Sequence, residues 1–327
     1  MKAWQVSGLG VPSEVLTLAE VEQPTILDSQ TLVRMEAACV GFPDYLMAQG
    51  LYHEKPPLPF VIGGEGAGRV EAVGQDAGPW KVGDRVIVVS GHAHKGHLAE
   101  YVAADSDQIL PVPPDMDANH AAALFVAYQT SYVGMFRRAG LEAGETLLVH
   151  GASGGIGSAA VQLGKSAGAT VIAVAGGARK VAICAELGAD HVIDHTAEDF
   201  VARVKELTGG RGADVIYDSI GGDVFDRSRR CIAVEGRLLV VGFASGDIPQ
   251  APVNHALLKN YSIIGFRMRP FRDDLDYRLK VHNTLLDLYA KGEIKPLTTR
   301  YDFADAPKAL ASIGDRTVIG RPVIRIG

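Results

Sequence analysis

Residues 146 to 157 read Thr-Leu-Leu-Val-His-Gly-Ala-Ser-Gly-Gly-Ile-Gly, and few folds accommodate such a stretch. The apolar run 147–149 has the make-up of a buried strand, and it breaks at Gly151. Gly154, Gly155 and Gly157 follow, after which Ile156, Ala159, Ala160, Leu163 and Ala167 recur at helical spacing. Strand, glycine turn and helix in that order form the dinucleotide-binding fingerprint. Small residues let the backbone approach a pyrophosphate, and the helix start offers free N–H groups and a positive dipole end. Ser153, Gly154, Gly155, Ile156 and Gly157 are therefore the first candidate cofactor contacts.

The chain has 327 residues, which points to about two domains. A net charge of −6 with no long basic run gives nucleic-acid binding no support. No apolar stretch approaches the roughly 20 residues of a membrane helix, and the start, Met-Lys-Ala-Trp-Gln-Val, lacks a signal core. Cys39, Cys184 and Cys231 are too scattered to suggest a disulfide framework or a zinc knot. A cytoplasmic protein acting on a small molecule, without membrane or nucleic-acid partners, is the expectation.

Up to about residue 117 the chain reads as β-rich, with strands at 32–35 and 68–73 and a turn feeding an apolar strand over 82–89, between Gly, Pro and Asp punctuation. These strands predict a partly open barrel. Asp117 is placed to cap a long helix over 121–136. From there strands and helices alternate. Strands are expected at 146–150, 170–174, 191–194, 214–218, 237–242 and 261–265, with helices at 156–168, 179–187, 198–208 and 223–233. Such alternation predicts a doubly wound parallel sheet, an α/β Rossmann domain. The last 60 or so residues leave the pattern, with helices at 276–291 and 305–313 and a final strand at 321–326. The predicted organisation is a substrate domain of residues 1–120 and 266–327, interrupted by a nucleotide domain of residues 121–265.

An NAD site holds the ribose 2′-OH with an acid about 20 residues past the glycines. Here Val174-Ala175 leads into Gly176-Gly177-Ala178-Arg179-Lys180, and the first acid downstream is Glu186. Arg179 and Lys180 would attract a 2′-phosphate, so NADPH is the expected cofactor.

The sequence resembles the zinc-independent quinone oxidoreductase branch of the medium-chain dehydrogenase/reductase superfamily along nearly its whole length. The matching stretches include Gly41-Phe42-Pro43-Asp44, Leu58-Pro59-Phe60, Gly63-Gly64-Glu65-Gly66-Ala67-Gly68 and Val82-Gly83-Asp84-Arg85-Val86. They continue through 121–130, the glycine loop, Leu187-Gly188-Ala189-Asp190-His191-Val192-Ile193-Asp194 and 236–246. The resemblance implies a GroES-like catalytic domain beside the Rossmann domain, an active site in the cleft between them, and NADPH as hydride donor. It adds Thr130, Gly176, His195, Gly242, Phe243, Phe266 and Met268 to the cofactor contacts, with Thr130 at the nicotinamide carboxamide. Tyr52 takes the place of the family's active-site tyrosine, able to hydrogen-bond a substrate oxygen, though a phenol of pKa about 10 is a slow acid.

The superfamily's zinc enzymes would place metal ligands near residue 41, beside Glu65 and near residue 126. Gly41, Gly64 and Val126 stand there, and none offers a donor atom. His92, His94 and His97 are the remaining metal candidates, and a polar turn is the simpler reading of them, so no metal is expected. His150, ending the first Rossmann strand, reads as a satisfied core histidine. The family usually has Asn where Gly41 stands, so its loss removes a polar anchor and leaves room. Arg267 and Arg269 follow the last Rossmann strand and are candidates for an anionic substrate. The apolar edge strand near 261–265 calls for cover, and the resemblance implies a homodimer through it. The leading expectation is hydride transfer from NADPH to a quinone or activated alkene. The alternatives are an enoyl thioester or unsaturated-acid reductase, and a non-catalytic NADPH-binding structural or regulatory protein.

Overall fold

The structure is a computed structural model that describes residues 1–89 and 96–327. The chain divides into two compact units, one of Met1–Val126 with Pro296–Gly327 and one of Ala127–Lys295.

The second unit is built on six strands, all parallel. They lie in the order His191–Asp194, Thr170–Ala175, Thr146–His150, Ala213–Asp218, Ile232–Val240, Ser262–Gly265. Sequence-adjacent strands are joined through helices, among them Gly155–Ser166, Ala178–Glu186, Phe200–Leu207, Gly222–Ser228 and Val253–Lys259. All five residues of the first strand are buried, as expected where helices cover both faces of a parallel sheet. Leu148, Ile172, Ile216 and Leu238 pack with Phe200 and Phe225 in one core. A buried side chain of that size contributes about 1.5–3 kcal/mol. The strand order reverses beside Thr146–His150, so the carboxyl ends of the first and fourth strands form the switch point where such sheets bind ligands.

The predicted strands and helices of this unit all form, with shifted ends; the fifth strand begins at Ile232 rather than 237. Two expectations need correction. The single helix over 121–136 is instead a helical run over 118–138, π-wound over Phe125–Gln129 and Val133–Arg138. Its side chains are anchored to distant groups: the Tyr128 hydroxyl accepts from Gln162 Nε2 (2.9 Å) and Ser131 Oγ donates to the Ile156 carbonyl (2.9 Å). A 3.6-residue pattern carries no mark of such local unwinding. Asp117 does cap the run, accepting from the N–H groups of Asn119 and His120.

The second correction concerns the boundary at 265. Residues 266–295 belong with the parallel sheet, and the division falls at 126 and 295. Gln129 Nε2 donates to the Arg278 carbonyl (3.2 Å) and the Lys295 N–H to Gln162 Oε1 (2.6 Å). These bonds tie the helix Leu275–Ala290 and residues 291–295 to this unit. The end of strand–helix alternation at 265 did not mark the end of packing.

The first unit holds two antiparallel-dominated sheets. The larger runs Thr298–Asp302, Arg321–Arg325, Gln30–Cys39, Glu65–Val73, Arg85–Val89, Ile109–Pro111, with Tyr101–Asp105 also pairing Gln30–Cys39. The smaller joins Leu16–Glu20, Lys2–Val6 and Phe60–Val61. Val33, Met35, Val70, Val86, Val88 and Val102 form one core; Trp4, Val6, Ile62, Leu98 and Leu310 form another with the helix Ala306–Gly314. The register pairs Cys39 with Glu65, Glu65 with Val89, and Val323 with Cys39, so Gly41, Glu65 and Arg321 come to the same end of the sheet. Among the described residues no helix is long and apolar enough to cross a membrane.

Candidate active site

The glycine loop of the second unit is shaped by close approach. Gly151 adopts φ +62°, and a Cβ on Gly157 would run into the Gly151 carbonyl and Ala152. The helix Gly155–Ser166 starts at Gly154 with no side chain capping its first N–H groups. Those donors and the dipole end suit an anion. Ser131 Oγ, bonded to Ile156, sets the neighbouring, half-buried Thr130 beside this helix start. His150 closes the first strand as a core residue. Its Nε2 meets Ser228 Oγ at 2.8 Å, its ring stands edge-on to Phe200, and burial lowers its pKa to about 3. The Ser228 proton goes to the Val224 carbonyl (2.6 Å), so His150 Nε2 is the donor.

The second strand ends at Ala175, and Gly176-Gly177 turns into the helix Ala178–Glu186. Arg179, exposed, and Lys180, half-buried, lie in its first turn. The sequence placed the nearest acid at Glu186. The fold instead brings Asp194 to this turn, its Oδ1 accepting from Gly177 N–H (3.0 Å), Thr196 N–H (3.0 Å) and Thr196 Oγ (2.6 Å). These bonds, Gly177's foremost, lower its pKa. His195 lies against Gly176, its Nε2 2.8 Å from where a Cβ would stand.

The ends of the later strands carry the remaining predicted contacts. Asp218 is fully buried; its Oδ1 accepts from the N–H groups of Ile220 (2.8 Å) and Gly221 (3.0 Å), and burial raises its pKa. Against this turn lie Gly242 and Phe243, the latter's ring 2.8 Å from a Cβ position on Gly221. Phe266 donates its N–H to the Val240 carbonyl (3.0 Å), and half-buried Met268 begins the short helix Arg269–Arg272. Arg267 and Arg269 are exposed.

In the first unit a buried polar cluster occupies the sheet end that holds Gly41, Glu65 and Arg321. Asp44, in the helix Phe42–Ala48, accepts from Gly41 N–H at Oδ2 (2.7 Å) and from Gly63 N–H at Oδ1 (3.1 Å). Burial pushes its pKa up to about 6. Glu65, wholly buried, accepts from Val126 N–H (2.8 Å) at one oxygen and from Arg321 Nη2 at the other. Arg321 Nη1 stands 2.7 Å from the Cβ position of Gly41, so the room expected there is closed by a guanidinium. Burial pushes the Cys39 thiol up, leaving no thiolate. His97 Nδ1 donates to the Gly63 carbonyl (2.9 Å), and burial lowers its pKa to about 4. Tyr52 follows the helix Phe42–Ala48, half-buried, its ring 4.1 Å from that of His53.

Gly41, Gly64 and Val126 are on or beside this cluster as backbone only, without donor side chains. His92 and His94 lie outside the described residues; among the described ones, no group of three or more His, Cys, Asp or Glu is placed to hold a metal ion. Sequence reasoning missed the Glu65–Arg321 pair and the approach of Asp194 to Gly177. Glu65 sits within a glycine-rich motif, but nothing local linked it to a residue 256 positions away.

Comparison with known proteins agrees with this arrangement. Residues 28–114 match the alcohol dehydrogenase GroES-like domain family and residues 155–281 the zinc-binding dehydrogenase family. The chain is 40% identical over 237 residues to a quinone oxidoreductase-like protein 2 homolog of Nematostella vectensis, spanning 72% of this chain and 64% of that protein. It is 36% identical over 286 residues to quinone oxidoreductase-like protein 2 of Mus musculus, spanning 86% of this chain and 81% of that protein. Escherichia coli quinone oxidoreductase, solved as a complex with NADPH, superposes with a TM-score of 0.90 at 28% identity, covering all of both chains. Sheet order, glycine cradle and full-length likeness together make this chain an oxidoreductase of the medium-chain dehydrogenase/reductase superfamily, in its quinone oxidoreductase branch.

Proposed function

We propose that the protein uses NADPH, without zinc, to reduce a quinone or an activated alkene. The observation that carries this reading is the turn after the second strand: Gly176-Gly177 followed by Arg179 and Lys180, with no acid of its own. The E. coli relative's complex with NADPH supports it. The residues fit the cofactor: a Cβ would fill the cradle at Gly157, and the helix start behind it has uncapped N–H groups. Bound NADPH supplies the hydride. The chain's part is to bind, orient and exclude water. Ser153, Gly154, Gly155, Ile156 and Gly157 hold the pyrophosphate, and Arg179, Lys180 and His195 with Gly176 the 2′-phosphate end. Thr130, Gly242, Phe243, Phe266 and Met268 orient the nicotinamide, and Tyr52 donates a hydrogen bond to the substrate oxygen.

Zinc is set aside because the three positions that would ligate it carry Gly41, Gly64 and Val126. Stoichiometric zinc in the purified protein would overturn that part, and the same metal analysis tests His92, His94 and His97. The substrate class is tested by following NADPH absorbance with quinones, enones, enoyl thioesters and unsaturated acids. Turnover of quinones or enones is expected. Turnover of thioesters or acids alone would replace the substrate assignment, and tight NADPH binding without any turnover would indicate a binding protein.

The same reading includes a homodimer. Among the described residues the strand Ser262–Gly265 is paired on one side only, to Ile232–Val240. Beside it in the chain, the helix Val253–Lys259 has no buried residue, with Val253, Leu257 and Leu258 each about three-quarters exposed. An apolar edge of this kind is a pairing surface.

A further inference from the structure

Thr130–Tyr132 is a short α-helical segment between two π-wound stretches, Phe125–Gln129 and Val133–Arg138. A π-turn re-aims the side chains that follow it, and such turns recur at functional sites. What holds this segment is a chain of hydrogen bonds through Ser131, which is wholly buried. Ser131 Oγ donates to the Ile156 carbonyl (2.9 Å), in the first turn of the helix that begins in the glycine loop. The same oxygen lies 3.0 Å from Tyr217 Oη. A serine hydroxyl has one proton, and here it goes to Ile156, so Tyr217 is the donor of the second bond. Burial raises the Tyr217 pKa, which keeps that phenol protonated.

The chain from Tyr217 through Ser131 to Ile156 joins three elements of one unit. Tyr217 lies on the fourth strand, paired with Val149 of the first and one residue before Asp218. Ile156 lies among the candidate pyrophosphate contacts, and Ser131 is next in sequence to half-buried Thr130. On the following turn, a Cβ at Gly134 would stand 3.2 Å from Leu239 and 3.4 Å from the Phe266 ring, so the absence of a side chain lets the run lie close to both. Neither Ser131 nor Tyr217 has surface to offer a ligand, because both are fully buried. Their effect passes through their neighbours, by fixing the separation between the glycine cradle and Thr130. Linked hydroxyls polarise one another, so the two bonds act together.

We propose that Ser131 and Tyr217 are positioning residues for the nicotinamide half of NADPH: their hydrogen bonds to Ile156 lock Thr130 at a set distance from the pyrophosphate cradle. This rests on NADPH being the cofactor. A ligand that reaches from the cradle to Thr130 depends on that distance. A ligand that occupies only the adenosine end does not. Adenosine 2′,5′-bisphosphate, the adenosine half of NADPH, is of the second kind and keeps the 2′-phosphate.

The test is calorimetric titration of the full chain with NADPH, NADH and adenosine 2′,5′-bisphosphate, for wild type, Ser131→Ala, Tyr217→Phe and the double variant, alongside their thermal midpoints. Ser131→Ala should bind NADPH about five- to tenfold more weakly, the worth of one hydrogen bond, with its affinity for the bisphosphate close to that of wild type. Tyr217→Phe, which removes a single oxygen and keeps the ring, should move the same way by less. The double variant should bind NADPH no more weakly than Ser131→Ala, because the two bonds form one chain. An unchanged ratio of NADPH to bisphosphate affinity in both single variants, whatever their midpoints, would overturn the proposal and leave the two residues as packing alone, with NADPH still the cofactor. Wild type binding NADPH no tighter than NADH would overturn the cofactor reading itself, and the proposal with it.

Discussion

The Nη1 of Arg321 stands 2.7 Å from the point where a Cβ on Gly41 would sit, while its Nη2 holds the buried carboxylate of Glu65. The glycine's backbone is extended and unstrained, so what forbids a side chain at 41 is the guanidinium alone. Gly41→Asn, which would restore the residue usual in the family, must push Arg321 off Glu65. Breaking a buried pair costs about 3–5 kcal/mol. A lowered thermal midpoint is expected, and a second exchange, Arg321→Ala, should make Gly41→Asn far better tolerated. If Gly41→Asn melts with wild type, the guanidinium is not fixed as described.

Asp44 is a buried acid whose pKa rises from 3.8 to about 6. The folded chain then holds a proton that the unfolded chain releases between those values. Its contribution to stability is full below pH 3.8 and is lost as pH rises through about 6, on the order of 3 kcal/mol. Thermal melts of wild type and Asp44→Asn across pH 4 to 7 should show wild type gaining on the variant as pH falls. Parallel curves would contradict it.

His97 and His150 act in the opposite direction, one in each unit. Their pKa values fall from 6.5 to about 4 and about 3 because burial penalises the charged ring. The stability they give is present above pH 6.5 and is lost as pH drops through the folded values, on the order of 3 kcal/mol or more each. His150→Leu leaves the Ser228 hydroxyl bonded to Val224. This variant should be somewhat weaker than wild type at pH 7 yet lose less on acidification, measured by urea midpoints at pH 7 and 5.

The half-open edge Ser262–Gly265 predicts self-association. Light scattering at micromolar concentration should give twice the chain mass, and Ile263→Lys, which sets a charge on this edge strand, should shift it to the monomer without changing NADPH affinity. A wild-type monomer would remove the dimer from the proposed function.

Arg267 and Arg269 are exposed beside the end of the sixth strand. Replacing both by Ala should raise KM several-fold for unsaturated acids and enoyl thioesters and leave neutral quinones unchanged, in steady-state kinetics. Equal effects on both classes would dismiss them as an anion-binding pair.

Much of this was legible locally. The glycine spacing at 151–157 and the apolar runs after it predicted a doubly wound sheet, and six parallel strands with the order reversing at Thr146–His150 are present. The π-wound run over 125–138 and the allegiance of 266–295 were not legible. Both depend on partners far along the chain, such as Gln162 for Tyr128 and Lys295, and periodicity reports only neighbours within a few turns.

By itself the sequence determined what each segment must do with its own backbone. Glycines at 151, 154 and 157 dictate a close approach, and unbroken apolar strands must be buried on both faces. Only the tertiary structure decided which charges meet. It set Arg321 against Gly41 and Glu65, Asp194 under Gly177 and His195 over Gly176. Electrostatic interaction depends on distance in space and on the exclusion of water, and neither is written in spacing along a chain.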